Sequence, residues 1–325
     1  MDVRRVQITG GSSFMVTLPK PWAEKVGLKK NDRVVVDQRP DGSILLTPMD
    51  LAGTRAGDRK VIDCDGIDDP EMLFRVLLGC YISGYETIEM ASKGKLSWEH
   101  SATANRFTDA AIGVEIYEES EGRILIKDFI DPTEMQLQKT LGRMKVIAGN
   151  MLSNALLAAD GKGQFIDRDD EIDRLNWLIA RQTCMTMINP SHPALMASEP
   201  QLAQEIYAVS RSIERIGDHT CKIHRILSYM TEREKAGIRD RAEELGGEIL
   251  ALFNRSMDSW KAGSLPEANA CIEASAVLAD RCHSLLPVGS PGMNALVNSM
   301  VRICEYCGDI SEHTMNASIS ARREN

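Results

Sequence analysis

The feature that most constrains how this chain folds is a skeleton of four residues that occurs twice. The pattern R-x-x-E-x-x-G-D fills residues 211–218 and returns at residues 302–309, each shared position displaced equally (302 − 211 = 91; 309 − 218 = 91). Both copies lie in long stretches whose apolar residues recur every three or four positions, which predicts amphipathic helices. Similarity at a fixed period indicates that the second half of the helical region is a divergent copy of the first.

Each copy of this skeleton lies on the third of three predicted helices. Pro and Gly clusters, such as Asn189-Pro190 and residues 287–291, separate the helices, and short turns make neighbouring helices antiparallel. The predicted helices cover residues 131–160, 167–188, 200–229, 231–262, 266–286 and 292 to the C-terminus. We therefore expect a mainly α fold, with two three-helix bundles in tandem at residues 131–230 and 231–325.

Acidic residues spaced four apart mark one face of these helices. Glu214 and Asp218 lie about one turn apart, and Asp169 and Asp173 repeat that spacing on the preceding helix. Like charges at this spacing repel, so a cation held between them is one interpretation, since hard cations prefer oxygen ligands. A solvated acidic face is the other. In the first interpretation, the four carboxylates converge at the bundle surface, with His219 nearby.

The second copy offers fewer carboxylates. Its candidates for metal ligands are Asp280, Glu305 and Asp309, but Ala276 stands four residues before Asp280. The second site is thus expected to be incomplete unless Glu273 or His313 compensates, and the first site to bind metal more strongly.

Two different segments precede the helices. Residues 1–50 read as four short strands and one helical turn, and a unit of this size lacks enough core to stand alone, so we expect it to pair with a second copy. After a short linker, residues 58–130 alternate strands and helices and predict a small α/β module with no nucleophile or phosphate-loop pattern. We expect it to be a binding or spacing element.

Charge and composition narrow the function classes. The net charge of −9 disfavours general nucleic-acid affinity, yet residues 1–50 carry eight basic and six acidic side chains (8 − 6 = +2). The chain has no long apolar run and no signal-peptide pattern, so we expect a cytoplasmic protein without membrane insertion. Cys304-x-x-Cys307 is the one C-x-x-C motif in the sequence, and without a second pair it favours a core role over a zinc site.

The N-terminal residues carry a first family resemblance. The segments GSSFMVTLPK at residues 11–20 and WAEKVGLKKNDRV at residues 22–34 resemble the SpoVT/AbrB family, closest to its MazE-like antitoxin branch. The resemblance implies an intertwined swapped-hairpin homodimer that usually binds DNA. Basic residues that members often carry are here Thr17, Ala23 and Glu24. The remaining candidates for phosphate contacts are Arg4, Arg5, Lys20, Lys25, Lys29 and Lys30; the other interpretation of these six is solubilising surface charge.

The helical half carries the second resemblance. Asp169-x-x-x-Asp173, the segment ERIGDH at residues 214–219 and Glu305-x-x-x-Asp309 resemble the PhoU family of phosphate-uptake regulators. This resemblance implies two three-helix bundles that hold metal ions, iron first, with zinc, manganese, magnesium and calcium as the other candidates. It also implies contact with the ATPase of a phosphate ABC transporter or with another phosphate-signalling protein such as a sensor kinase. The order of an AbrB-like hairpin before a PhoU-like tandem is similar to an archaeal arrangement.

Three functions compete on these observations. The leading hypothesis is a non-enzymatic, metal-binding regulator of phosphate uptake that dimerises through its N-terminal domain. The second is an AbrB-type transcription factor acting through residues 1–48. The third is a metal-dependent phosphohydrolase, because paired carboxylates holding two metals also support phosphoryl chemistry; beyond Arg211 and His219, no base or phosphate-orienting set accompanies them.

Overall fold

The computed structural model of the protein describes residues 3–11, 13–38, 42–49, 59–130, 135–157, 165–188, 199–284 and 291–321. The chain divides into two compact units, residues 1–58 and residues 59–325. The predicted linker at 49–58 (apart from Met49), the predicted helix start at 131–134 and the inter-helix turns at 161–163, 189–193 and 287–290 lie outside the described residues.

The first unit consists of two antiparallel hairpins and one short helix. Strands β1 and β2 pair with each other, β3 pairs with β4, and helix α1 stands between the two hairpins. Gly27 follows α1 with a φ of 70°, the left-handed region where glycine carries no Cβ penalty. The elements are β1 (Gln7–Thr9), β2 (Ser13–Met15), α1 (Lys20–Lys25), β3 (Val34–Gln38) and β4 (Ile44–Pro48).

The second unit opens with the predicted α/β module. Its four-stranded sheet has the order β5-β6-β8-β7, in which β5 and β6 are parallel and the other pairs antiparallel. Asp69 and Ser97 are the N-caps of the two helices, and each side chain accepts a hydrogen bond from a backbone N–H of the first turn. The elements are β5 (Arg59–Asp63), α2 (Pro70–Ile82), β6 (Thr87–Ala91), α3 (Trp98–Ala110), β7 (Val114–Ser120) and β8 (Arg123–Asp128).

One face of this sheet buries the core of the module. Ile88 and Ile124 point from the strands toward Leu77 of α2 and Phe107 of α3, and all four are buried. Side chains alternate across a strand, so the opposite face carries Val61, Glu89, Leu125 and their neighbours. On that second face Val61 at the sheet edge is exposed, whereas Glu89 and Leu125 are buried.

Six long helices complete the second unit. They are α4 (Leu137–Leu157), α5 (Asp169–Ile188), α6 (Pro200–Tyr229), α7 (Glu232–Ala262), α8 (Leu265–Ser284) and α9 (Pro291–Ala321). Within each set of three, the third helix packs on both others, α6 on α4 and α5, and α9 on α7 and α8. These bounds confirm the mainly α fold expected from the sequence.

The two helical sets share one hydrophobic core. Helix α6 packs closely along α9 and α4 packs against α7, so buried residues such as Ile216 and Ile303 belong to a single continuous cluster. The sequence predicts two bundles in tandem, and the structure adds that they are fused along their third helices. No helix in the described part of the chain is both long and apolar enough to cross a membrane.

Candidate metal centre

The structure brings the four carboxylates of the first copy together. Asp169 and Asp173 stand on the first two turns of α5, and Glu214 and Asp218 stand on α6, which packs against it. Burial, followed by the charges of Asp218, Asp167, Glu214 and Asp170, raises the pKa of Asp169 to about 6. Asp169 Oδ1 lies against α6 at Gly217, the residue directly before Asp218.

The other members of the cluster feel the same environment. Burial and then the charge of Glu214 raise the pKa of Asp173 to about 7. Burial also raises the pKa of Glu214, although the nearby Arg211 opposes this. Carboxylates whose pKa values are raised by burial and by neighbouring carboxylates mark a functional site more often than a structural one.

Two arginines form ion pairs with one side of this cluster. The Arg215 Nε and Arg211 Nη1 atoms lie 3.5 and 3.7 Å from Glu214 Oε2, and Arg215 Nη1 lies 3.7 Å from Asp218 Oδ2. Asp169 Oδ1 and Glu214 Oε2 are both buried with no hydrogen-bond partner. A buried oxygen without a hydrogen-bond partner lowers the stability of the protein, so a cation bound from solution would stabilise this cluster.

Gly217 lets the two helices approach at the cluster. A Cβ at this position would stand 3.0 Å from Ile172 Cδ1 and 3.1 Å from Asp169 Oδ1. The absent side chain is thus the reason that Asp169 can sit against the surface of α6 between Glu214 and Asp218. Glycine costs about 1 kcal/mol against Ala within a helix, and the close approach of Asp169 accounts for its presence in α6.

Two details differ from the sequence-based expectation. The carboxylates are partly buried in the seam between α5 and α6 rather than on the open bundle surface, and the Glu214 side chain is only 12% exposed. Because Gly217 has no side chain, α5 and α6 pack closely along that seam. His219 faces away from the α5 seam, since its ring packs 5.9 Å from that of Tyr306 on α9 and its Nδ1 is buried without a partner.

The second copy of the motif forms a shallower site. Asp280, Glu305 and Asp309 line one depression of about 370 Å³, so the three predicted residues do converge. Glu305 and Asp309 are exposed, and Arg302 is hydrogen-bonded to Glu305. Burial and then the charge of Glu312 raise the pKa of Asp309. This site is thus more exposed than the first, and its weaker metal binding stays a prediction.

Neither proposed compensating residue joins this depression. His313 Nδ1 lies 2.7 Å from Glu205 Oε2 of α6, and Glu273 accepts a hydrogen bond from Asn269 in a groove between α7 and α8. Instead His283 and Glu312 line the depression with the three predicted carboxylates. Their spacing three residues from Asp280 and Asp309 places them on the same helix faces, a signal that the sequence did contain.

A hydroxyl replaces one carboxylate in the second copy. A Cβ at Gly308, the counterpart of Gly217, would stand 2.8 Å from Ser275 Oγ, as a Cβ at Gly217 would stand near Asp169 Oδ1. Ser275 thus takes the place beside the glycine that Asp169 takes in the first copy. A neutral side chain there removes one negative charge from the second site.

The donor chemistry of the first cluster fits a hard cation. Four carboxylates, two of them with orphaned buried oxygens, supply the ligand type that Mg²⁺, Mn²⁺ and iron ions take. Within the described residues, no three His, Cys, Asp or Glu side chains already stand in an arrangement that could hold one ion. The side chains would therefore reorient on binding, and metal ligation by these residues stays a prediction.

The six basic candidates of the first unit are all exposed. Arg4 and Arg5 precede β1, Lys20 and Lys25 stand at the two ends of α1, and Lys29 and Lys30 follow it. Lys20 lies 3.7 Å from Glu24 in an exposed pair of little energetic weight. The exposure of these six side chains fits both interpretations, phosphate contacts and solvated surface charge, so their role in DNA binding stays a prediction.

Comparison with family models confirms both resemblances and their order along the chain. Residues 7–52 match the model described as "Antidote-toxin recognition MazE, bacterial antitoxin", and residues 141–227 match the PhoU domain. No curated protein and no solved structure matches the chain significantly. The PhoU match contains Asp169, Asp173, Glu214 and Asp218, whereas helices α7 to α9 lie beyond its end.

The fold and these matches define a class of protein. Both matched families are regulatory and non-enzymatic, and the PhoU domain indicates a role in phosphate homeostasis. The chain joins a segment that matches the MazE model to an α/β module and to six long helices, of which the first three contain the PhoU match.

Proposed function

We propose that this protein is a non-enzymatic regulator of phosphate uptake whose helical tandem binds metal ions, with iron as the first candidate. The observation that carries the proposal is the cluster of four partly buried carboxylates between α5 and α6, inside the residues that match the PhoU domain. Two of its oxygens are buried without partners, which favours a bound cation over a solvated acidic face.

The proposal includes a homodimer through the first unit. Its strands expose large apolar side chains, among them Ile8, Phe14 and Val36, and within the described residues of this unit Pro48 is the one that is buried. Apolar strands without a core of their own favour pairing with an identical copy, as a MazE-like module would. Such a dimer would also place two sets of Arg4, Arg5 and α1 lysines together, where they could contact DNA phosphates.

The partners follow from the PhoU domain. We infer that the tandem contacts a component of phosphate uptake, either the ATPase of a phosphate ABC transporter or another phosphate-signalling protein. The metal would hold α5 and α6 in one arrangement at the seam, so that the surface offered to the partner depends on metal occupancy.

Phosphate uptake in cells tests this function. Cells lacking the gene should take up phosphate even when it is abundant, and the wild-type gene should restore control. A double variant, Asp173→Asn with Glu214→Gln, should fail to restore it, whereas Asp240→Asn, an exposed change on α7, should succeed. Full restoration by the double variant would refute a regulatory role for the cluster.

The transcription-factor alternative has its own test. Sequence-selective, salt-dependent retention of a promoter fragment that is lost on changing Arg4 and Arg5 to Gln would support it. The phosphohydrolase alternative would require turnover of a phosphate ester that disappears with Asp218→Ala.

A further inference from the structure

The outer edge of the α/β sheet carries a strand that is complementary to itself. Strand β5 lies at the edge of the sheet, and among the described residues no other strand pairs with its outer side. An edge strand presents unpaired backbone N–H and C=O groups and is a template for pairing with another strand. Its five residues read Arg59-Lys60-Val61-Ile62-Asp63.

The alternation of side chains separates the two faces of this strand. Ile62 is buried against the helices, so Arg59, Val61 and Asp63 point to the opposite, open face. All three are exposed, and Val61 is 53% exposed. On that face a positive end, an apolar centre and a negative end follow one another along the strand.

If two copies of β5 pair antiparallel with Val61 at the centre, each of these three side chains stands opposite a complementary side chain of the other copy. Arg59 of each copy then stands opposite Asp63 of the other, and the two Val61 side chains meet at the two-fold axis. Opposite charges across a strand pair stabilise it and like charges destabilise it. The register centred on Lys60 instead places two lysines opposite each other, which disfavours it.

Arg59 has donors to spare for this contact. Its guanidinium contacts Glu89 of β6, but Glu89 also contacts Arg123 Nε at 2.8 Å, so two arginines share one carboxylate. A guanidinium offers five N–H donors and a carboxylate accepts from several at once. The Asp63 side chain accepts one backbone N–H, from Asp65, which leaves oxygen lone pairs for Arg59 of a second copy.

We propose that β5 pairs with β5 of a second copy of this chain, joining two four-stranded sheets into one continuous sheet across a two-fold axis. The interface is separate from the pairing proposed for residues 1–58, and either can exist without the other. If both exist, pairing of the first units holds the two β5 strands at a high local concentration, because β5 opens the second unit of the same chain.

Cross-linking of the full-length protein through single introduced cysteines tests this pairing. Residues directly opposite in an antiparallel pair have Cα atoms about 4.5–5.5 Å apart, within the range that a disulfide spans. Val61→Cys should therefore form a covalent dimer under mild oxidation. The matched control is Tyr117→Cys on β7, which is equally exposed on the same sheet but would lie roughly 34 Å from its counterpart, seven strand spacings away.

We expect Val61→Cys to cross-link at least about tenfold faster than Tyr117→Cys and than the wild-type protein with its native thiols. Adding Asp63→Arg to Val61→Cys should suppress cross-linking, and adding Arg59→Asp as well should restore it by exchanging the charges. Arg59→Gln with Val61→Cys controls for the lost contact with Glu89. Equal rates for the two cysteine variants, or no rescue by the charge exchange, would overturn the proposal.

The mass of the protein in solution separates this result from the proposed function. If Val61→Cys alone does not cross-link while the protein is dimeric in solution, the first-unit interface is left standing and the strand pairing is refuted. Efficient cross-linking at Val61→Cys that persists when Phe14→Lys is added supports the strand pairing independently of the first-unit interface.

Discussion

At the residue scale, the main chemical feature of the protein is a cluster of partly buried carboxylates that a bound cation would stabilise. Asp169 and Asp173 are partly buried, and burial together with the charges of Glu214 and Asp218 raises the pKa of each. The structure thus predicts that these carboxylates lower the free energy of unfolding of the metal-free protein.

The pH dependence of the free energy of unfolding should show this loss of stability directly. The pKa values of Asp169 and Asp173 are raised from 3.8 to about 6 and about 7, so the native state binds protons more tightly than the unfolded state. Their contribution to the free energy of unfolding is complete below about pH 4 and is lost as the pH rises to about 7. Urea unfolding of metal-free protein should show this decline. Asp173→Asn should flatten it, and an unchanged slope would contradict the assigned environment.

Neutralising one carboxylate should separate stability from metal binding. In metal-free protein at pH 8, Asp169→Asn should raise the free energy of unfolding by about 1 kcal/mol, because it removes one of four mutually repelling charges. The same variant should lose most of the rise in melting temperature that added metal gives to the wild type. A metal-induced rise as large as that of the wild type would argue against Asp169 as a ligand.

Gly217 offers a second residue-scale test. Gly217→Ala gains helix propensity worth about 1 kcal/mol, but overpacking against Ile172 and Asp169 costs about 1–3 kcal/mol, so the net effect should be destabilising. Gly142→Ala and Gly247→Ala, in helices with open space around a new Cβ, are matched controls that should stabilise. Thermal unfolding measures all three, and stabilisation by Gly217→Ala would show that the seam is looser than described.

At the element scale, α5 serves both the carboxylate cluster and the α/β module. Its first turns carry Asp169 and Asp173, and its second half carries Arg181, whose side chain is 3% exposed. Arg181 donates to Asp128 Oδ2 of the module and to the carbonyl of Tyr81, and its guanidinium lies 4.9 Å from the Tyr81 ring centroid. One helix thus fixes the module to the bundle that holds the candidate metal centre.

Breaking this contact should loosen the module. Arg181→Met leaves the Asp128 carboxylate unpaired in a buried setting, which costs about 3–5 kcal/mol. Arg181→Met combined with Asp128→Asn removes the orphaned charge and should recover part of that loss. Denaturant unfolding with hydrogen exchange on β8 and α2 measures the effect, and a loss below about 1 kcal/mol in the single variant would show the pair to be dispensable.

Element boundaries were predictable, but the contacts between elements were not. Asp69, Ser97 and the helix-breaking prolines mark starts and ends in the sequence, because caps and breakers act over a few residues. Arg181 gave no such signal, since its partners lie 53 and 100 residues away. The role of Ser275 was likewise hidden, because it depends on which face of α8 meets Gly308.

At the scale of the whole molecule, the internal repeat produces one body rather than two. The repeat predicted two bundles, but their fusion along α6 and α9 depends on the packing of surfaces that the repeat alone does not specify. A continuous core predicts that all six helices unfold together.

A core substitution tests that cooperativity. Phe253 on α7 is fully buried and lies near Gly149 of α4, so Phe253→Ala should cost about 3–5 kcal/mol. Hydrogen exchange should accelerate in α4 and α9 alike. Acceleration confined to α7, α8 and α9 would indicate that the two sets unfold independently.

Metal stoichiometry tests most directly whether the carboxylates between α5 and α6 hold a metal ion, as proposed. Metal-free protein would be loaded with iron or manganese, dialysed and assayed by elemental analysis, beside the double variant Glu214→Gln with Asp218→Asn and the control Asp240→Asn. We predict that the double variant loses at least the metal bound at the first site, while the control retains the wild-type content. Equal metal content in all three proteins would contradict the account.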